Sequence, residues 1–242
     1  MYRSIKLVLH NLLPKKLLFR IEPYLRYLFS INKRGQNHKC SVCNFESKEW
    51  IVIENNDKLC PKCGSLSRDR RLWKLISENY LSQPITVLDF SPSRCLYRKW
   101  KKQNHTTHIA SDLSSNFMAN VSYDITKINE KEDRFDLIIC YHILEHVIED
   151  VKAMQELYRV LKPNGSIIIQ TPYKEGEIYE DYSITKEEER LIHFGQEDHV
   201  RFYSVNGLKK RLESVGFTIL VNQYKKDDYL GFSNEIILLA TK

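Results

Sequence analysis

Glycine is scarce in this chain, with 8 among 242 residues. The turn DFSPSRC at 89–95, which closes the apolar run ITVLDF, contains none. A dinucleotide pyrophosphate needs backbone amides pressed close against it, which glycine permits, so a dinucleotide-dependent dehydrogenase is disfavoured. Long apolar runs are missing as well. No stretch of 18 uncharged apolar residues exists, so no membrane-spanning helix is expected. The apolar stretch 17–31 is broken by Arg20, Glu22, Pro23 and Arg26, and no small-residue cleavage site follows, so a secretory signal is not expected either. Cysteines are few and uneven. Four are grouped (Cys40, Cys43, Cys60, Cys63) and two stand alone (Cys95, Cys140), which is no disulfide framework and points to a reducing, cytoplasmic setting. Repeats and low-complexity tracts are absent.

The composition is that of a globular chain. It is 42% hydrophobic, and its 10 Phe, 14 Tyr and 3 Trp can fill a core. The net charge of +6 is unevenly placed. Residues 1–39 hold nine Lys/Arg against Glu22 alone, leaving 28 bases and 30 acids in residues 40–242. The basic character therefore belongs to one end, and a nucleic-acid partner for the body is disfavoured. Residues 1–35 interleave bases with Leu, Phe and Tyr and read as short amphipathic helices broken at Pro14 and Pro23. Such a segment suits either peripheral contact with an anionic membrane, at its inner face, or packing on the body or a second copy.

Residues 36–67 carry C-x2-C, sixteen residues, then C-x2-C. That spacing predicts a zinc ribbon with Cys40, Cys43, Cys60 and Cys63 as ligands, closed and therefore structural. Gly64 suits a turn that needs positive φ. From residue 68 to 242 helices and strands alternate. Helices are expected at 68–81, 94–103, 149–162 and 204–215. Strands are expected at 85–90, 108–112, 120–124, 135–141, 166–172 and in a final antiparallel hairpin. The pattern predicts an α/β fold with a mostly parallel sheet covered on both faces. Residues 175–190 carry seven acids and read as a solvated loop with one short helix, or as a lid.

Three expected strands end in an acid: Asp89, Asp112 and Asp124. The order VLD–SD–YD–FD, then an apolar strand, KPNG and another strand, resembles the class I S-adenosylmethionine-dependent methyltransferases, with their Rossmann-like sheet. CPKCGSLSRDRRLW, VLDFSPSRCL, CYHILEHVIEDVKAMQELYRVLKPNG and HFGQEDHVR together look like a bacterial subgroup with an N-terminal zinc ribbon, associated with surface-glycan and cell-envelope biosynthesis. The resemblance implies S-adenosylmethionine as cofactor and a small or glycan-type acceptor methylated on a hydroxyl. It places Asp89 and the Ser91–Arg94 turn at the methionine end, Asp112 and Leu113 at the ribose, Asp124 and Ile125 at the adenine, and Cys140 to His142 around the sulfonium. The glycine-free turn departs from the family's pattern and leaves open a non-catalytic scaffold that kept the fold.

His142, expected at a strand edge, is a candidate base. HFGQEDHVRFY (193–203) is dense in polar groups without a helical or strand period and follows the fifth strand. It is therefore read as the acceptor side of the site. Gln196, Asp198, His199 and His146 would contact the acceptor, His199 would share proton transfer, and Arg201 would clamp an acidic group in two-pronged fashion. The competing reading makes Asp198, His199 and Arg201 a buried network that fixes the lid.

Overall fold

The computed structural model describes residues 14–53 and 56–242, which fall into two compact units. The first gathers the chain up to Asn79 with residues 93–102 and 225–234. It opens with helix α1 (Lys15–Ile31), continues through four short strands β1 (Arg34–Lys39), β2 (Glu46–Ser47), β3 (Ile51–Val52) and β4 (Lys58–Leu59), and includes helices α2 (Ser67–Asn79) and α3 (Arg94–Trp100).

Pro23 does not break α1 as expected. A proline inside a helix leaves the carbonyl four residues earlier without a donor. Here that carbonyl is Phe19 O, and the Arg98 guanidinium donates to it at 2.7 Å while also pairing with Glu22 at 2.8 Å. The helix survives because a residue from α3 replaces the lost hydrogen bond. The part of the expected helical segment before Pro14 lies outside the described residues.

The ribbon is two copies of one turn. Asn44 N donates to Cys40 O and Gly64 N to Cys60 O; Cys40 N donates to Phe45 O and Cys60 N to Ser65 O. Asn44 (φ 57°) and Gly64 (φ 75°) supply the left-handed residue that each turn requires. Arg70, wholly buried, locks the ribbon to the 225–234 loop. Its guanidinium donates to the carbonyls of Lys58, Ser65, Leu230 and Gly231, and it lies 4.2 Å over the Trp50 ring.

The second unit is built on a six-stranded sheet. Its strands are β5 (Ile85–Phe90), β6 (Thr106–Ser111), β7 (Phe135–Tyr141), β8 (Leu161–Gln170), β11 (Thr218–Tyr224) and β12 (Glu235–Thr241), in the order β11-β12-β8-β7-β5-β6. β6, β5, β7 and β8 run parallel, while β12 is antiparallel to both β8 and β11. Helix α4 (Asp150–Val160) and helix α6 (Val205–Val215) pack on it. An alternation of buried and exposed positions is absent from the middle of β7. Phe135, Leu137, Ile138, Ile139 and Cys140 are all buried, as befits a central parallel strand covered on both faces.

Two expected boundaries fail for physical reasons. Residues 120–124 form no ladder, only two isolated bridges, Val121 to Ser111 and Asp124 to Lys127. The side chain of Asn120 accepts from Ala110 N and Ser111 Oγ accepts from Tyr123 N, so side chains take the donors a ladder would use. Helix α4 stops at Val160, before Pro163-Asn164-Gly165, and that tripeptide is a bulge inside β8, with Asn164 at φ 62° and a register shift opposite Phe135–Leu137. Among the described residues no helix is long and apolar enough to cross a membrane.

Candidate active site

The carboxyl ends of β5, β6, β7 and β8 share one edge of the parallel sheet, where ligands bind in open α/β folds. At the end of β5 the chain turns without glycine by holding Ser91 at φ 48°. A left-handed serine costs about 1–3 kcal/mol. Two hydrogen bonds hold it there: Ser91 N to Ser111 O at 2.7 Å, and Ser91 Oγ to Asp112 Oδ1 at 2.8 Å.

Asp112, at the end of β6, is buried and heavily solvated by the protein itself. It accepts from Ser91 Oγ, Ser114 Oγ, Asn116 N and Phe117 N. Two of those donors are hydroxyls, the chemistry a ribose diol would offer in their place. Leu113 beside it is 66% exposed and free to lie against a ring. Asp124 is exposed, and one carboxylate oxygen accepts from both Thr126 N and Thr126 Oγ1; these bonds hold its pKa below the usual value.

Other expected cofactor contacts are placed differently. Ile125 is buried and packs in the hydrophobic core. Cys140 is also in the core, and burial pushes its thiol well up, so no thiolate lines the edge. Asp89 is buried against His108, with Nε2 to Oδ2 at 3.1 Å, a partner on the neighbouring strand that its strand-end position does not reveal.

His142 follows β7 with φ 54° and donates its N–H to Gln170 O at 2.8 Å. Its Nδ1 lies 3.3 Å from Glu145 Oε1, an ion-pair distance without hydrogen-bond alignment. Glu145 is 1% exposed, in a single 3-10 turn (Leu144–His146). Burial pushes its carboxyl up, but His142 and His146 more than offset this, and the net direction is down. A buried, ionised carboxylate is thus the centre of the edge. Beside it, His146 Nδ1 lies 3.2 Å from the exposed Asp198, and the His146 and His199 rings meet edge to face with centroids 4.7 Å apart. His199 is 3% exposed; burial, then the His146 charge, pushes its pKa down, so it is neutral near pH 7. Gln196 is exposed.

Six buried side-chain atoms along this edge have no hydrogen-bond partner among the described residues: Glu145 Oε1 and Oε2, Gln170 Oε1, Thr171 Oγ1, Tyr173 Oη and His199 Nδ1. Native interiors rarely leave such groups unsatisfied, so these are groups for water or a ligand to partner.

Arg201 is not a substrate clamp. It has no exposed side-chain surface, and its guanidinium is consumed by Glu180 (2.8 Å), the Val147 and Ile148 carbonyls and Tyr182. Glu180 in turn pairs with Arg211, which reaches Asp150 at 2.6 Å, and the Tyr203 hydroxyl donates to the same Asp150 oxygen. This network pins strand β9 (Tyr179–Glu180) of the acidic segment to β10 (Arg201–Phe202), with helix α5 (Glu187–Phe194) between them. For Arg201 the network reading is the one the geometry supports.

The four ribbon sulfurs are also close. Cys40 and Cys63 Sγ are 3.6 Å apart, Cys43 and Cys60 Sγ 3.7 Å, and all four lie within 4.8 Å of one another. Tetrahedral zinc with bonds of about 2.3 Å requires sulfur separations of about 3.8 Å, so the cluster fits a structural zinc ion.

Residues 67–222 match the model of a family described as a methyltransferase domain. A ubiquinone biosynthesis O-methyltransferase of Coxiella burnetii is 26% identical over 117 residues, 46% of this chain and 50% of that protein. An uncharacterised protein of Methanocaldococcus jannaschii is 38% identical over 58 residues, 22% of this chain and 25% of that one. The chain thus spans half or less of these curated relatives' length. Among solved structures, a SAM-dependent methyltransferase from Archaeoglobus fulgidus aligns with a TM-score of 0.53 at 18% identity, covering 71% of this chain and 91% of that one. One from Mesorhizobium loti gives 0.50 at 13%, covering 70% and 97%. At such identities the likeness is one of fold.

Substituting Arg201 with Met removes a buried charge, leaves Glu180 and Asp150 to share Arg211 alone and frees the Val147 and Ile148 carbonyls, so urea unfolding should show a loss of roughly 3–5 kcal/mol. The same network predicts acid sensitivity. Burial opposes it, but Arg211 and Arg201 pull Glu180 down to about 2 from 4.5. A carboxyl depressed in the folded chain stabilises fully above its unfolded value and loses that contribution as pH falls through the folded one. Protease cleavage within 175–190 should therefore rise between pH 4.5 and 2 in the wild type. An Arg201→Met protein as stable as wild type would refute the network.

Proposed function

Because the chain belongs to the methyltransferase-domain family, we propose that it methylates a hydroxyl of a small, polyhydroxylated acceptor, a sugar or glycan unit of the cell envelope, using S-adenosylmethionine. The observation that carries this reading is the row of unsatisfied buried polar atoms at the ends of β7 and β8. Gln170, Thr171 and Tyr173 offer hydrogen bonds suited to several acceptor hydroxyls, beside a histidine held near a buried carboxylate. The Coxiella relative, an O-methyltransferase by name, supports oxygen as the methylated atom.

Asp112 would hold the ribose by exchanging the hydroxyls of Ser91 and Ser114 for those of the sugar. The second carboxylate oxygen of Asp124 would accept from the adenine amine, and exposed Leu113 would cover the ring. S-adenosylmethionine, when bound, supplies an electrophilic methyl group. His142 would accept the acceptor's hydroxyl proton on its second ring nitrogen, and the Glu145 charge beside Nδ1 would stabilise the imidazolium that forms. His199 is buried and neutral, which suits positioning better than proton exchange with solvent.

His142→Asn separates these roles, because asparagine tolerates the left-handed backbone. Calorimetry should show cofactor binding retained, while S-adenosylhomocysteine release with a panel of sugar acceptors falls by about 10²–10⁴-fold. Failure of the wild type to bind millimolar cofactor would end the enzyme reading.

The reading extends to location. Helix α1 exposes Tyr24, Leu25, Tyr27, Leu28 and Ile31 alongside the exposed Arg20, a surface that suits the headgroup layer of an anionic membrane. Wild-type protein should sediment with anionic vesicles and the Tyr24→Asp/Leu28→Asp double variant should not; equal sedimentation contradicts membrane contact.

A further inference from the structure

The six-stranded sheet ends in two edges, and the chain treats them differently. At β6 the chain closes the edge itself. Asn120 N and Val121 N donate to Ala110 O, the Asn120 side chain accepts from Ala110 N, and Val121 bridges Ser111. At the other edge β11 pairs with β12 along all seven residues without a register shift, and no further strand lies beyond it among the described residues. An open edge is a template for pairing, and proteins ordinarily blunt it with charge, proline or a bulge. TILVNQY (218–224) carries none of these.

Side chains alternate between the two faces along a strand. Ile219 and Val221 of β11 pack against the hydrophobic core. Thr218, Leu220, Asn222 and Tyr224 therefore belong to the other face. There Leu220 is 59% exposed, and the Asn222 Nδ2 is buried with no hydrogen-bond partner among the described residues. A buried amide donor left unpaired costs about 1–3 kcal/mol. The strand lacks partners in two ways, along its outward backbone and at this side chain.

We propose that β11 pairs antiparallel with β11 of a second copy of the chain, about a two-fold axis at Val221, so that two sheets become one. All seven residues overlap only in that register. It sets Thr218 opposite Tyr224, Ile219 opposite Gln223 and Leu220 opposite Asn222 of the second copy. The diagonal neighbours on one face are then Asn222 with Asn222, and Leu220 with both Leu220 and Tyr224. Each Asn222 amide donates to the side-chain oxygen of the other, so the same unmet donor is satisfied in both copies, and Leu220 is covered. Charge favours this occupant as well. The strand itself is uncharged, Glu213 precedes it with only a long 3.7 Å contact to Lys209, and Lys225 and Lys226 follow it. Antiparallel pairing sets acid beside base at each end. Because the β6 edge is already closed, assembly stops at two.

Sedimentation equilibrium of the zinc-loaded full chain tests the pairing. The mass should rise with concentration from 28.8 kDa towards twice that value. Leu220→Lys places a charge on the edge, and Asn222→Asp sets like charges across the axis at nearly constant shape. Each should weaken the dimer at least about tenfold. Val52→Lys, at an exposed ribbon position, should dimerise as wild type. In the wild type, amide exchange within 218–224 should slow as concentration rises through the dimer range, a readout that needs no variant to fold. A mass of 28.8 kDa at every concentration, a dimer indifferent to both edge variants, or unchanged exchange at 218–224 overturns the proposal. So does a dimer lost in the Tyr24→Asp/Leu28→Asp variant and kept in Leu220→Lys, which places the contact on α1.

Discussion

Arg201 carries its charge with no solvent-exposed side-chain surface, and residues 144–150 and 179–211 of the second unit are organised around satisfying it. A guanidinium has five donors in a rigid fork and cannot lose its proton. Once buried it demands acceptors from several directions. The chain supplies them from the 144–148 segment, from β9 of the acidic insertion, and, through Asp150 and Arg211, from α4 and α6. The consequence is positional. Glu145 and His146 sit between carbonyls that Arg201 grips, and His199 lies two residues before it, so Arg201 sets where these three side chains stand.

The ends of β5 and β7 are ordered by a different constraint, backbone strain. Ser91 and His142 both follow a parallel strand with positive φ. Each turns the chain sharply away from the sheet edge, and each is stitched to the adjacent strand end by its own N–H, to Ser111 O and Gln170 O. Strain of this kind persists only when surroundings over-determine it, and it gathers at functional sites. The glycine missing from the first turn is thus replaced by a serine whose hydroxyl also occupies Asp112. On the proposed reading, cofactor entry exchanges hydroxyl for hydroxyl at a carboxylate already oriented.

Much of this was legible in the sequence. The paired cysteines announced the ribbon because ligand spacing is local. ITVLDF and FDLIICY announced buried parallel strands because nearly every residue is apolar or strand-terminal. What was not legible depended on partners distant in sequence. Pro23 reads as a helix breaker until Arg98 supplies the missing donor. Arg201 reads as a substrate clamp until Glu180, Asp150 and the turn carbonyls are seen to consume it. Residues 120–124 read as a strand until side chains claim the backbone donors. Ile125 and Cys140 lie at motif positions, and only the fold shows both buried in the core. Glu145 was visible within CYHILEHV, but only the fold shows it buried, ionised and short of partners.

The central claim is that the strand-end edge of the second unit, with its preoriented Asp112 and its unsatisfied polar row, is a binding site in waiting. Hydrogen–deuterium exchange with and without S-adenosylmethionine tests it most directly. The account predicts slowed exchange at the amides of Ser91, Asn116, Phe117 and Thr126 and around His142, with the ribbon turns at 40–45 and 60–65 unchanged. Exchange that is unaltered at this edge, or slowed only in the ribbon, would contradict it.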